Sequence, residues 1–263
     1  MKRNYKMTLS YDGTRFYGWE HQPGQEMTIQ GKLETVLTRM LEGEQEKRRP
    51  EERTPVGTIT VIGAGRTDAG VHAKAMTANV LLDTVKTEDE IRAYMNRYLP
   101  DDICVQELKI CADRFHSRFK AMGKTYCYTC FYGGKEGVKP IFDRKYVTTL
   151  EQMPDVARMR EAASYLEGMH DYKSFCGNSH MKKSTIRVVD TIEIRQNGPY
   201  IRISVHGSGF LQNMVRILVG TLLEVGYGKR KPEDMTALLE AKDRKLAGPT
   251  APAQGLCLMQ VDY

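Results

Sequence analysis

The residues best suited to chemistry lie in the stretch Gly63-Ala-Gly-Arg-Thr-Asp-Ala-Gly-Val-His72. Glycines bracket an Arg-Thr-Asp triplet there, in a connection between two predicted strands. Glycine lets the backbone take unusual dihedrals and lets a large ligand approach closely. An aspartate with an ordinary pKa near ~3.9 is ionised at neutral pH, so Asp68 can attack carbon without the partner base that a serine needs. Arg66, two residues away, could hold that carboxylate charged. The bland alternative is that Arg66 and Asp68 brace a turn. A phosphate loop would need Lys and then Ser or Thr after Gly70, where Val71-His72 stands. A dinucleotide fingerprint starting at Gly63 would need glycine at Asp68.

A second charge stands out by its surroundings. The segment Phe210 to Val225 reads as one helix, apolar on nearly every face, which is the pattern of a buried helix. Arg216 sits in its middle, and a buried guanidinium requires a partner. Asp68 is one candidate; snorkelling to solvent or pairing elsewhere is the other. Aromatic and basic residues interleave from Arg114 to Tyr132, including Phe115, His116, Phe119, Lys124, Tyr126 and Tyr128. Such residues can stack flipped bases, but strand aromatics are more often core, and Tyr126 and Tyr128 share a face. Cys127 and Cys130 form a CxxC on a strand, where residues three apart point to opposite faces. With no second pair and no HExxH, a zinc set is not formed.

The elements that must position these residues follow from periodicity and punctuation. Tyr5 to Tyr11 alternates into the turn signal Asp12-Gly13. Thr28 caps a helix carrying Ile29, Leu33, Val36, Leu37, Met40 and Leu41, and 42–55 reads as a charged, solvated loop. Strands are predicted over 58–62, 78–82 and 103–110, and Thr87 with Glu90 makes a capping box for a helix ended by Pro100. The second half repeats this content. Strands are expected over 124–132, 186–194, 200–205 and 256–261, with helices over 154–168, 210–225 and 232–243. Two units of similar content, 1–113 and 114–263, imply two related α/β lobes with a cleft between them.

Bulk properties narrow the function classes. The chain has 263 residues, 41% hydrophobic and 27% charged, enough for one large or two modest domains with a proper core. No apolar run of about 18 residues is present, so no membrane span is expected. The N-terminus lacks the pattern of a signal peptide, and the six cysteines are scattered, so a reducing cytoplasm is the expected compartment. A net charge of +6 permits a polyanionic partner.

The residues add up to a resemblance. Tyr11-Asp-Gly-Thr, Gly18-Trp19, Gly65-Arg-Thr-Asp-Ala-Gly-Val-His72, Phe115-His-Ser-Arg-Phe119, Lys124-Thr-Tyr126, His170-Asp171, Phe210-Leu-Gln-Asn-Met-Val-Arg216 and Ala251-Pro-Ala-Gln-Gly-Leu256 resemble, in order and from end to end, the tRNA pseudouridine synthase A family. That resemblance implies two α/β lobes, each a mainly antiparallel sheet with helices, joined into one extended sheet with a central catalytic cleft. It implies a homodimer that isomerises uridine to pseudouridine in the tRNA anticodon stem-loop, typically at positions 38 to 40, without cofactor or metal. Asp68 then matches the catalytic aspartate, and Tyr126 an active-site tyrosine packed against the target uracil. Arg216 matches the arginine paired to the aspartate, and Arg66 belongs to the aspartate's own motif. The chain departs from the family pattern at Glu20, where Gln is usual, and in the longer charged stretch 42–55. Two other classes remain in view: a non-catalytic RNA-binding protein on the same scaffold, and a nucleosidase-like hydrolase using Asp68.

Overall fold

A computed structural model describes residues 2–178 and 180–263, which fall into two compact units, one up to residue 121 together with Tyr263 and one from 122 to 262. Each is a mainly antiparallel sheet with helices, as the α/β reading expects.

The first unit begins with β1 (Arg3–Tyr11), whose Tyr5, Met7, Leu9 and Tyr11 alternate into the core. Helix α1 (Ile29–Glu46) follows Thr28, whose hydroxyl accepts the Gly31 amide at 3.2 Å. Its stripe Ile29, Leu33, Val36, Leu37, Met40 and Leu41 is buried. The helix runs four residues beyond the expected start of the charged loop. Residues 42–46 are mostly good helix formers, and the Glu44 carboxylate accepts the Thr84 hydroxyl at 2.5 Å. The strand expected over 58–62 shrinks to β2 (Ile62–Gly63), while β3 (His72–Leu82) starts earlier than expected. Strand β1 pairs antiparallel with β3 (Met7 opposite Ala78) and, on its other edge, with β4 (Ile103–Cys111; Met7 opposite Leu108).

Helix α2 (Glu88–Tyr98) has the expected capping box: Glu90 N–H donates to the Thr87 hydroxyl at 3.3 Å, and Thr87 N–H to the Glu90 carboxylate at 2.8 Å. Asn96 ties the helix to β4 by accepting the Val105 amide (2.7 Å) and donating to its carbonyl (2.9 Å). Thr87→Ala removes one arm of the box and should lower stability by about 1 kcal/mol, read from the urea midpoint. An unchanged midpoint would mean that tertiary packing alone holds the helix.

Residues 114–121 pack with this first unit. Asn4 donates to the carbonyls of Ala112 (3.1 Å) and Phe115 (2.9 Å) and accepts from Asn79 (3.0 Å). Buried Ser117 donates its amide to Asn79 at 2.9 Å and its hydroxyl to the Ile62 carbonyl. The ring of Phe115 meets that of Tyr263, and the Lys6 ammonium lies 4.2 Å from the Tyr263 ring centre.

The second unit is built on β5 (Gly123–Tyr132), flanked by β10 (Leu256–Asp262) and β9 (Tyr200–Gly207), with β8 (Ile186–Asn197) beyond β9 and β7 (Gly168–Asp171) at the edge. The short β6 (Thr148–Leu150) runs parallel to β5. Strands β8 and β9 form a hairpin around Gly198-Pro199. Helix α3 (Val156–Tyr165) is shorter than expected, because Gly168, with φ +106°, already belongs to β7. Helix α4 (Met214–Gly226) is buried along almost its whole length and packs on α3. It starts four residues later than expected, after Asn213 in a left-handed conformation (φ +59°). Helix α5 (Asp234–Ala241) completes the unit.

The CxxC reads out as opposite faces: Cys130 is buried, Cys127 partly exposed, and both are free thiols. Burial pushes the Cys130 thiol up to about 12. No helix is long and apolar enough to cross a membrane among the described residues.

Candidate active site

Asp68 lies half-buried in the loop between β2 and β3, and the backbone around it is pinned on several sides. Its carbonyl accepts the Val71 amide (3.1 Å), Gly70 N–H donates to the Phe16 carbonyl (3.2 Å), and Trp19 N–H donates to the Thr67 carbonyl (3.0 Å). Buried Thr67 also shares a hydroxyl hydrogen bond with Tyr11 at 2.9 Å. Past the turn, Gly13 N–H lies 3.0 Å from Nδ1 of buried His72, which also faces the Asp12 carboxylate at 3.2 Å. The loop is therefore clamped to the end of β1 and the segment that follows it, residues 11–19. A nucleophile gains from such support, because fixed backbone geometry avoids reorganisation during the reaction.

Gly18 is where this clamp is tightest. It has φ +94°, and a Cβ there would lie 2.5 Å from the Thr67 carbonyl oxygen. Gly18→Ala meets both a left-handed backbone and an immovable peptide group. It should cost about 2–4 kcal/mol and lower the thermal midpoint. Wild-type stability in this variant would show that the loop is not held against Gly18.

Arg66 is exposed and forms an ion pair with Glu20. That partner stands 46 positions earlier in the chain. Glu20 is also the residue where the chain departs from the family pattern. Exposed pairs of this kind contribute little stability, so the contact bears on orientation of the Arg66 side chain.

The other two expected residues belong to the second unit. Tyr126, on β5, is buried, and the Phe210 ring meets its own edge-to-face at 5.4 Å. Its neighbour on the same face, Tyr128, is a core residue: its hydroxyl bonds Thr148 at 2.6 Å and the Pro252 carbonyl at 2.8 Å. Burial raises the Tyr128 hydroxyl well above the usual phenol range.

Arg216 lies in the first turn of α4 and is half-buried. Its Nε donates to the Ala251 carbonyl at 2.7 Å and its Nη1 to the Asn213 side chain at 3.0 Å. The Ala251 amide returns a bond to the Arg216 carbonyl at 3.1 Å. This close approach of 249–251 to the helix depends on Gly220, where a Cβ would lie 1.8 Å from the Pro249 carbonyl oxygen. The guanidinium is thereby oriented from two sides, one of them a left-handed asparagine.

Asp68 and Arg66 therefore stand on one unit, Tyr126 and Arg216 on the other. Sequence reasoning assigned no role to Glu20, Asn213 or Phe210. The last two had a signal, since both fall in the stretch that leads to Arg216.

Comparison with known proteins agrees with this arrangement of motifs. The model of a family described as tRNA pseudouridine synthase matches residues 7–120 and 162–263. A tRNA pseudouridine synthase A from Bacillus sp. (strain KSM-64) is 43% identical over 260 residues, covering 99% of this chain and 99% of its own. A tRNA pseudouridine synthase A 2 from Clostridium perfringens (strain 13 / Type A) is 39% identical over 261 residues, covering 99% and 100%. A tRNA pseudouridine synthase A from Geobacillus kaustophilus (strain HTA426) is 39% identical over 263 residues, covering 100% and 95%.

Proposed function

Since the chain belongs to the tRNA pseudouridine synthase family, and is thus a pseudouridine-forming isomerase of tRNA, we propose that it modifies uridines 38 to 40 of the anticodon stem-loop with Asp68 as nucleophile. The observation that carries the reading is the Asp68 loop. It holds the matching motif within the matched region, with Asp68 half-buried on a backbone clamped by Phe16, Gly18 and Trp19.

The target uridine is flipped from its stack, at a cost of about a few kcal/mol. Asp68 attacks, the N1–C1′ bond breaks, and the base turns to present C5. A C5–C1′ bond forms, the carboxylate is released, C5 loses its proton and N1 gains one. Attack at the sugar or at the base leads to the same balance. Tyr126 packs against the detached uracil, and Arg216 holds the carboxylate oriented and charged. Water reaching the detached base would divert the reaction to hydrolysis. The apolar surroundings of Tyr126 and of α4 suit a water-poor site.

The same reading carries a homodimer working in the cytoplasm and needing no cofactor. Sedimentation at micromolar protein reads the oligomer. The positions are tested by incubating unmodified tRNA transcripts with the enzyme and mapping pseudouridine by carbodiimide modification and primer extension. Stops confined to 38–40 are expected. Stops elsewhere in the tRNA would refute the anticodon-arm assignment while leaving the isomerase intact.

A further inference from the structure

The second unit carries a cavity of about 410 Å³ between the end of β7, the start of β8 and the C-terminal end of α5. Its walls include Lys173, Lys182, Lys183 and Lys242 against a single carboxylate, Asp171. That is a surplus of three positive charges in ten lining residues, against +6 for the whole chain. A larger cavity beside α1, about 520 Å³, sets Glu26, Glu34 and Glu42 against Lys32 and Arg39 and has no such surplus.

The basic cavity is organised around Asp171. Its carboxylate accepts the Thr185 hydroxyl and the Lys173 amide (3.2 Å), and pairs with the Lys242 ammonium at 3.2 Å. Burial opposes ionisation of Asp171, but the bonds from Thr185 and Lys242 outweigh it and hold the carboxyl below its usual range. Asp171 therefore answers one lysine. Among the described residues no carboxylate pairs with Lys173, Lys182 or Lys183, and all three are exposed.

Lys242 adds an independent sign. It has φ +52°, one of two non-glycine residues with positive φ among the described residues. The other is Asn213, which orients Arg216. A lysine in a left-handed helix cap is disfavoured relative to glycine, and such backbone is retained where it places a side chain. Here it places an ammonium on Asp171 at the cavity wall.

We propose that this cavity, held open by the Asp171–Thr185–Lys242 network, is a phosphate-binding site that Lys173, Lys182 and Lys183 offer to the sugar-phosphate backbone of the tRNA substrate. The inference rests on tRNA being the substrate, and it gives Asp171, to which no catalytic task falls, a structural one. Phosphate contacts fix the register of a nucleic acid without reading its sequence. The site thus contributes affinity and orientation, not chemistry.

The test replaces Lys173, Lys182 and Lys183 together with Ala, and in a second protein together with Arg. Binding of an unmodified tRNA transcript is followed by filter retention from about 50 to 300 mM salt, beside steady-state turnover. Each lost phosphate contact lowers the slope of log K against log salt by about 0.7–0.9, so the alanine variant should lose about 2–3. Its KM should rise about tenfold or more with kcat changed less than about twofold, and the arginine variant should restore both slope and KM. An unchanged slope would overturn the proposal, as would a fall in kcat with the slope intact. Should the wild type bind tRNA but show no turnover, the isomerase reading fails. The slopes of the three proteins still decide the phosphate site.

Discussion

Asp68→Asn is expected to lower the single-turnover rate on tRNA by ~10⁴-fold or more, with the Kd for tRNA within about threefold of wild type. The amide keeps the shape of the side chain and the backbone hydrogen bonds of the loop, which run through Phe16, Trp19 and Val71. It removes the one property the mechanism uses, an ionised oxygen able to attack carbon. Asp68→Ala should behave alike. Rapid quench with carbodiimide mapping reads the rate, and filter binding the affinity. Turnover retained by either variant would take Asp68 out of the nucleophile role. Loss of binding together with turnover would make it a structural residue of the loop.

Arg216→Ala should show the second largest effect, on two axes. Removing the guanidinium leaves the Ala251 carbonyl and the Asn213 side chain without their donors inside a half-buried corner. A cost of about 1–3 kcal/mol in stability is expected. If Arg216 holds the Asp68 carboxylate in its reactive form, kcat should also fall by about 10²–10³-fold. Arg216→Lys keeps the charge but not the planar fork, so it should retain more activity than Ala while losing part of the stability. Chemical denaturation and turnover separate the axes. A destabilised but fully active Arg216→Ala would make the residue a fastener of 249–251 to α4 and nothing more.

These expectations depend on how much of the molecule local sequence can specify. Thr28 before a spaced apolar stripe, and Thr87 with Glu90, are complete signals: the capping bonds and the buried face come from residues within a few positions of each other. The hairpin of β8 and β9 is legible for the same reason. Elements whose partners are remote were misread or missed. Thr148–Leu150 becomes a strand only through parallel pairing with Cys130–Tyr132, and Gly168–Asp171 only through pairing with Ile186–Val189. Apolar periodicity carried the helix around Arg216 back to Phe210. The left-handed Asn213, with Gly177 donating to the Gln212 carbonyl at 2.8 Å, stops it short.

The site divides along the same line. That Asp68 stands in a glycine-bracketed loop is visible in the order of residues. That Arg66 turns to Glu20 is not, because nothing between positions 20 and 66 announces the contact. A buried helix announces that Arg216 needs partners. Which carbonyl answers is decided by the approach of 249–251 over Gly220. Phe210 opens the motif that ends at Arg216, yet its ring-edge contact with Tyr126 is a property of packing alone.

The most direct measurement uses a tRNA ligated so that only its anticodon arm carries uridine tritiated at C5. The labelled RNA is incubated with the wild-type enzyme, and the supernatant is analysed for both tritiated water and free uracil. Release of tritium into water with the polymer intact and no free uracil is expected, because C5 must lose its hydrogen when it takes the place of N1. Label that stays in the RNA would contradict isomerisation in the anticodon arm. Free labelled uracil would show that Asp68 serves a hydrolase.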